Sequence, residues 1–163
     1  MSGIEAFSPK GMLHEGWSAQ VDDYAIVCGW ALQGKTFLVG DVAGGLYAFE
    51  GKSGKLIWQT RNTHKGGLLA MSIHPDGNTF ATAGQDGHVY LWESHEGKST
   101  NNLELGKGWV EHIKWSPDGK FLAVVFTKYV YIFDEKGKEH WRSKAHPSTV
   151  SAIAWSNSNE LAT

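Results

Sequence analysis

Cysteine, proline and surplus charge are all scarce in this chain, and each scarcity narrows what it can be. A single thiol, Cys28, cannot close an internal disulfide, so a scaffold stapled by its own cystines is excluded. Fifteen basic against seventeen acidic residues leave a net charge of −2, with no global positive field for nucleic acid or an anionic membrane. No apolar run approaches a membrane span, the stretch MSGIEAFSPKGMLHEGW carries no signal-peptide core, and there is no Asn-x-Ser/Thr sequon. Those absences lead us to expect a cytoplasmic protein. Helical periodicity is missing too: turn residues interrupt the chain roughly every 8–12 positions, too often for a 3.6-residue repeat to develop.

What the chain has in quantity is glycine, with 20 residues, and tryptophan, with 8, which fits many tight turns between large buried side chains. The stretch from Gly67 to Trp92, GLLAMSIHPDGNTFATAGQDGHVYLW, reads as three short strands and two turns. The turns are His74-Pro75-Asp76-Gly77 and Gln85-Asp86-Gly87. Asp-Gly between alternating apolar residues is a strong hairpin signal, because Gly and Asp or Asn tolerate positive φ. Val89 and Leu91 alternate with Tyr90 and Trp92, and both sets are apolar, as in a sheet covered on its two faces.

The same landmarks return at a period near 42 residues. Pro75-Asp76-Gly77 recurs as Pro117-Asp118-Gly119. A strand-closing aromatic falls at Phe7, Phe49, Trp92 and Phe133, at intervals of 42, 43 and 41. Another large residue falls at Trp30, Ile73, Trp115 and Trp155, at intervals of 43, 42 and 40, and a further tryptophan at Trp17, Trp58 and Trp141. On these residues the chain resembles the WD40-repeat family, in the form SPDG…ATAG-x-DG-x-VYLW, whose units run about 40–45 residues.

That resemblance implies an all-β chain, a β-propeller of four-stranded antiparallel blades whose strands run A to D. The chain then divides into a half-blade over 4–18, whole blades over about 24–60, 67–105 and 109–143, and a half-blade over 148–163. Ile4 to Phe7 is its first C strand and Met12 to Trp17 its first D strand; Val150 to Trp155 is the last A strand and Glu160 to Thr163 the last B strand. The order CD-ABCD-ABCD-ABCD-AB makes four blade equivalents, half of a larger ring. A second copy or a missing C-terminal half is expected to complete it.

The family's buried histidine, B-strand Ser/Thr, turn Asp and C-strand Trp form one hydrogen-bonded network, which the resemblance carries onto His64, Thr82, Asp86 and Trp92. Elsewhere the pattern lapses, with Val39 and Val124 at the Thr82 position and Ala43 and Thr127 at the Asp86 position, so those blades are expected to rely on apolar packing. The run from Gly45 to Trp58 also resembles quinoprotein-type propeller repeats, which implies that Trp17, Trp58 and Trp141 dock flat between blades.

Sites for chemistry are few. The eight histidines show no compact ligand spacing, and no G-x₄-G-K-S/T phosphate loop is present. His64, Thr82 and Asp86 could be drawn as a triad, but the network needs them inside the blade. Glu93 and Glu96 would need a cleft to act as paired carboxylates. We therefore expect no enzyme activity, cofactor or metal, and a scaffold that binds a protein or peptide. In the resemblance the D–A and B–C loops share one rim, which here carries Lys107, Trp109, Lys128 and Tyr129, with Asp22, Asp23 and Tyr24 as an acidic and aromatic counterpart. Trp and Tyr are favoured interface anchors and lysine stems can cover them. The alternative is a metal- or cofactor-binding propeller, enzymatic in one version, with a site in the central channel near Glu111 and His112.

Overall fold

The computed structural model describes residues 16–163. Among these residues every regular element is a β-strand except one 3₁₀ turn at Leu32–Gly34. The first sheet is β1 (Ala25–Ala31), β2 (Thr36–Asp41), β3 (Leu46–Glu50) and β4 (Leu56–Thr60). The second is β5 (Leu68–Ile73), β6 (Thr79–Gly84), β7 (His88–Glu93) and β8 (Ser99–Glu104). The third is β9 (His112–Trp115), β10 (Phe121–Phe126), β11 (Tyr129–Asp134) and β12 (Glu139–Arg142), and the fourth has only β13 (Ala154–Asn157) and β14 (Glu160–Ala162). In each sheet the strands follow one another in sequence order and pair antiparallel, so every connection is a hairpin.

One register serves all three complete sheets. The aromatic that closes each third strand faces the second residue of the strand before it: Phe49 opposite Phe37, Trp92 opposite Phe80, Phe133 opposite Leu122. Tight turns keep that register, and Gly87 shows why glycine is required in the second sheet. Its φ is +76°, and a Cβ there would run into the Gly106 carbonyl.

The sheets stack face to face as blades, with period-2 alternation sending apolar side chains both ways. Leu38, Leu46 and Ala48 of the first sheet meet Leu68, Phe80 and Trp92 of the second. From the second sheet's other face, Ala83, Val89 and Leu91 meet Ile113, Leu122 and Val124 of the third. Val125 and Val130 then meet Val150, with Ile153 and Leu161 alongside. Each fully buried Leu or Phe here contributes about 1.5–3 kcal/mol relative to exposure. The ring of blades is not closed.

A repeated latch ties the outermost strand of one sheet to the next. Trp58 Nε1–H donates to the Ser94 carbonyl at 3.0 Å while its ring stacks near Phe80, 6.2 Å between centroids. Trp17 donates to the Gly51 carbonyl at 2.9 Å and tilts over Phe49. Between them in function, though not in residue type, stands Asn101, whose Nδ2 donates to the Lys136 carbonyl at 2.7 Å. The tryptophan series thus has a fourth, unrecognised member that keeps the donor and gives up the ring.

The strands expected over Ile4–Phe7 and Met12–Trp17 fall outside the described residues apart from Gly16 and Trp17, neither of which belongs to a strand. Two other expectations need adjusting. The last A strand begins at Ala154 rather than Val150. Amides of His146 and Val150 bond instead to the carbonyls of Lys128 and Thr127, holding that segment along the third sheet's hairpin turn. The first sheet does not rely on apolar packing alone. Buried Asp41 accepts from the Gly45 amide at 2.7 Å and from the Tyr47 hydroxyl at 2.8 Å, and Tyr47 in turn accepts from the Asp22 amide.

Candidate protein-docking site

The loops that enter each inner strand and the turns between each second and third strand lie on one rim, because backbone bonds hold them together. Leu68 N–H donates to Val42 O, Val110 N–H to Gly84 O and Val150 N–H to Thr127 O, so each turn grips the start of the next sheet. A loop held this way stays in place when a partner approaches, which lowers the ordering cost of binding.

Under the middle of this rim lie His64, Thr82, Asp86 and Trp92. His64 Nδ1–H donates to Asp86 Oδ1 at 3.0 Å, the Thr82 hydroxyl donates to His64 Nε2 at 2.8 Å, and Trp92 Nε1–H donates to Thr82 Oγ1 at 2.8 Å. This assignment leaves every proton of the chain with one acceptor and the imidazole neutral. Burial holds the His64 imidazole below its ordinary value, against the pull of Asp86. Burial also pushes the Asp86 carboxyl up, but hydrogen bonds from His64 and from the Lys65 and His88 amides outweigh it and leave it below the usual carboxylate range. A neutral, fully bonded imidazole beneath the surface braces two loops and has no free atom to offer a substrate. In the first sheet burial pushes the Tyr47 hydroxyl up to about 12, with Asp41 adding to the shift, so it stays a donor.

The residues proposed from sequence as partner contacts divide into two places. Trp109 is 55% exposed and Tyr129 half-exposed on the third sheet's part of the rim, where Gly108 lies against Phe126 and Thr127. Lys128 Nζ donates to the Pro147 carbonyl at 3.1 Å, which anchors that lysine, and Lys107 edges an open groove of about 620 Å³. Asp22, Asp23 and Tyr24 lie beside the first sheet instead, where Asp22 pairs with Arg61 and Asp23 accepts from the Tyr24 amide. Asp22 is thus matched by Arg61, while Tyr24 stands 81% exposed.

Sequence reasoning missed the floor of that groove. Lys65, Gln85, His88 and Tyr90 line it with Lys107, and Tyr90 packs edge-on against His64 while His88 stacks on Tyr90. A signal was present: Tyr47, Tyr90 and Tyr131 recur at intervals of 43 and 41, always two residues before the closing aromatic. Among the described residues no three His, Cys, Asp or Glu side chains converge, and nothing there supports a metal site at His112.

The family model described as "WD domain, G-beta repeat" matches residues 55–93 and 97–134. The chain carries WD40 repeats. Its WD40 relatives include cross-pathway control WD-repeat protein 2 of Flammulina velutipes, 36% identical over 75 residues, which are 46% of this chain and 24% of that protein. WD repeat-containing protein 1 of Gallus gallus is 38% identical over 97 residues, covering 56% of this chain and 16% of its own length. The p21-activated protein kinase-interacting protein 1-like of Gallus gallus is 34% identical over 85 residues, or 47% and 23%. This chain thus spans less than a quarter of the length of these WD40 relatives. The crystal structure of RRP9 WD40 repeats superposes with a TM-score of 0.76 at 12% identity, over 83% of this chain and 43% of the other, a likeness of fold.

Proposed function

We propose that this chain is a non-enzymatic interaction scaffold that docks a protein or peptide on the rim around Trp109 and Tyr129. The observation that carries the reading is the pair of exposed aromatics on loops fixed by backbone bonds, with Lys107 and Lys128 beside them. A relative named as a kinase-interacting protein supports partners of the protein class. A near-neutral charge argues against nucleic acid or membrane as the partner, and a lone free Cys28 suits a cytoplasmic setting. No helix among the described residues is long and apolar enough to cross a membrane.

Peptides selected from a random display library on the immobilised chain test the reading. Binders should lose about tenfold or more in affinity when Trp109 and Tyr129 are both changed to alanine, with the urea midpoint unchanged. Binders that hold the double variant as tightly as the parent would sink the rim assignment.

A further inference from the structure

Three tyrosines hold one repeat position, and the fold treats them differently. Tyr47 is buried, its hydroxyl donating to Asp41 and accepting from the Asp22 amide. Tyr131 is buried too, with the Arg142 guanidinium 5.5 Å from the centre of its ring. Tyr90 is only half-buried, on the floor of the groove of about 620 Å³. His64 and His88 fix its ring, but among the described residues its hydroxyl has no hydrogen-bond partner. Burial and the nearby Asp86 charge hold that hydroxyl above its ordinary value, so it stays a donor in want of an acceptor.

The charges around the groove have the sign that suits an anionic acceptor. Lys65 and Lys107 border it from two loops, both exposed, and among the described residues neither forms an ion pair. The one carboxylate in the lining, Asp86, is turned inward. Its Oδ1 accepts from His64 Nδ1–H and the His88 amide, its Oδ2 accepts from the Lys65 amide, and its side chain is only 8% exposed. His88 Nδ1–H donates to Asn102 Oδ1 at 2.9 Å, which leaves Nε2 as its open nitrogen. Glu104, opposite His88 on β8, borders a different groove together with Arg142. An anion that enters thus meets two unpaired lysines and a phenol donor, opposed by one hydrogen-bonded carboxylate beneath.

We propose that this groove is the subsite for an acidic side chain, a glutamate or aspartate carboxylate, of the peptide that docks on the rim. The proposal rests on the rim reading and gives that peptide a charge and a spacing. Lys107 and Trp109 stand two residues apart in one loop, so their Cα atoms lie within about 7 Å. An extended peptide advances about 3.3 Å per residue, so an apolar residue against Trp109 brings a carboxylate about one to three positions away to the groove. Charge-assisted hydrogen bonds from lysine, with the Tyr90 hydroxyl as a further donor, hold the carboxylate there. The charge match also favours acidic partners over basic ones during capture.

Peptides selected from a random display library on the immobilised chain should carry a glutamate or aspartate about one to three positions from an apolar residue. Replacing that acid with glutamine should weaken binding to the parent about tenfold. On a chain carrying both Lys65→Gln and Lys107→Gln, the acidic and glutamine peptides should bind alike. The urea midpoint of that variant should match the parent's, because both lysines are exposed. Peptides that need Trp109 and Tyr129 yet bind equally well with glutamine would overturn the subsite and leave the rim reading standing. Peptides indifferent to alanine at both aromatics would overturn the rim reading, and the subsite with it. Two further arms separate carboxylate from phosphate. Phosphoserine in place of the acid that binds more than about tenfold tighter would overturn the carboxylate assignment. So would a single-stranded oligodeoxythymidine that displaces the peptide at a lower concentration than the free peptide requires.

Discussion

Replacing Thr82 with valine isolates the energy stored in the buried network. The two side chains share a shape, and valine already occupies the equivalent place in the first and third sheets as Val39 and Val124. The strand therefore tolerates it, and neither cavity nor strain is created. What is lost is the hydroxyl that donates to His64 Nε2 and accepts from Trp92 Nε1, both at 2.8 Å and both buried. Each orphaned group costs about 1–3 kcal/mol, and the extra apolar burial of valine offsets a part, leaving a net loss of about 2–4 kcal/mol. Thr82→Ser keeps the hydroxyl and removes one methyl, costing about 1 kcal/mol. Urea unfolding followed by tryptophan emission should therefore rank parent above serine above valine. With a slope of about 1–3 kcal/mol per molar, the valine midpoint falls by about 1–2 M. A valine variant as stable as the serine variant would refute the account, because shape rather than hydrogen bonding would then be holding the blade.

Two further outcomes follow from the same geometry. Burial lowers the folded-state value of His64, so the unfolded chain binds more protons once the pH drops below about 6.5. Stability should then fall as pH is lowered from 7 to 5, by up to about 1.4 kcal/mol per unit, and His64→Gln should flatten that slope; an unchanged slope contradicts the assignment of a neutral imidazole. Gly87→Ala should cost about 2–4 kcal/mol, since it adds a backbone clash at Gly106 to the strain of a φ of +76°. Gly34→Ala, at a φ of +80° with open space around it, should cost only about 1 kcal/mol in the same denaturation assay.

The repeat and its four-strand unit were legible because Asp-Gly marks two turns of the second sheet and one of the third, and a large residue recurs near the end of each third strand. Those are local requirements, set by φ and by burial, and local requirements show in sequence. The Asp41–Tyr47 pair was not legible. A buried carboxylate at a strand end looks like any loop aspartate until the hydroxyl six residues on is seen to reach it. Asn101 escaped for a different reason: its place is defined by a carbonyl on the next sheet, and any donor of suitable reach satisfies that. The late start of β13 is likewise decided by the neighbour, through backbone bonds to Lys128 and Thr127. At the rim, sequence marked the exposed aromatics but not the groove beneath Lys107, whose lining comes from three separated loops and strands.

The latch between sheets bears on how such a chain lengthens. Each unit carries a donor for its successor, as Trp58 does for Ser94 O, and a carbonyl for its predecessor, as Ser94 does in turn. A tandem duplication of one unit therefore arrives with both halves of the joint already in place. Asn101 shows that the joint survives the loss of its ring, so copies are free to drift apart in sequence without parting in space. Nothing within a blade counts how many blades there are.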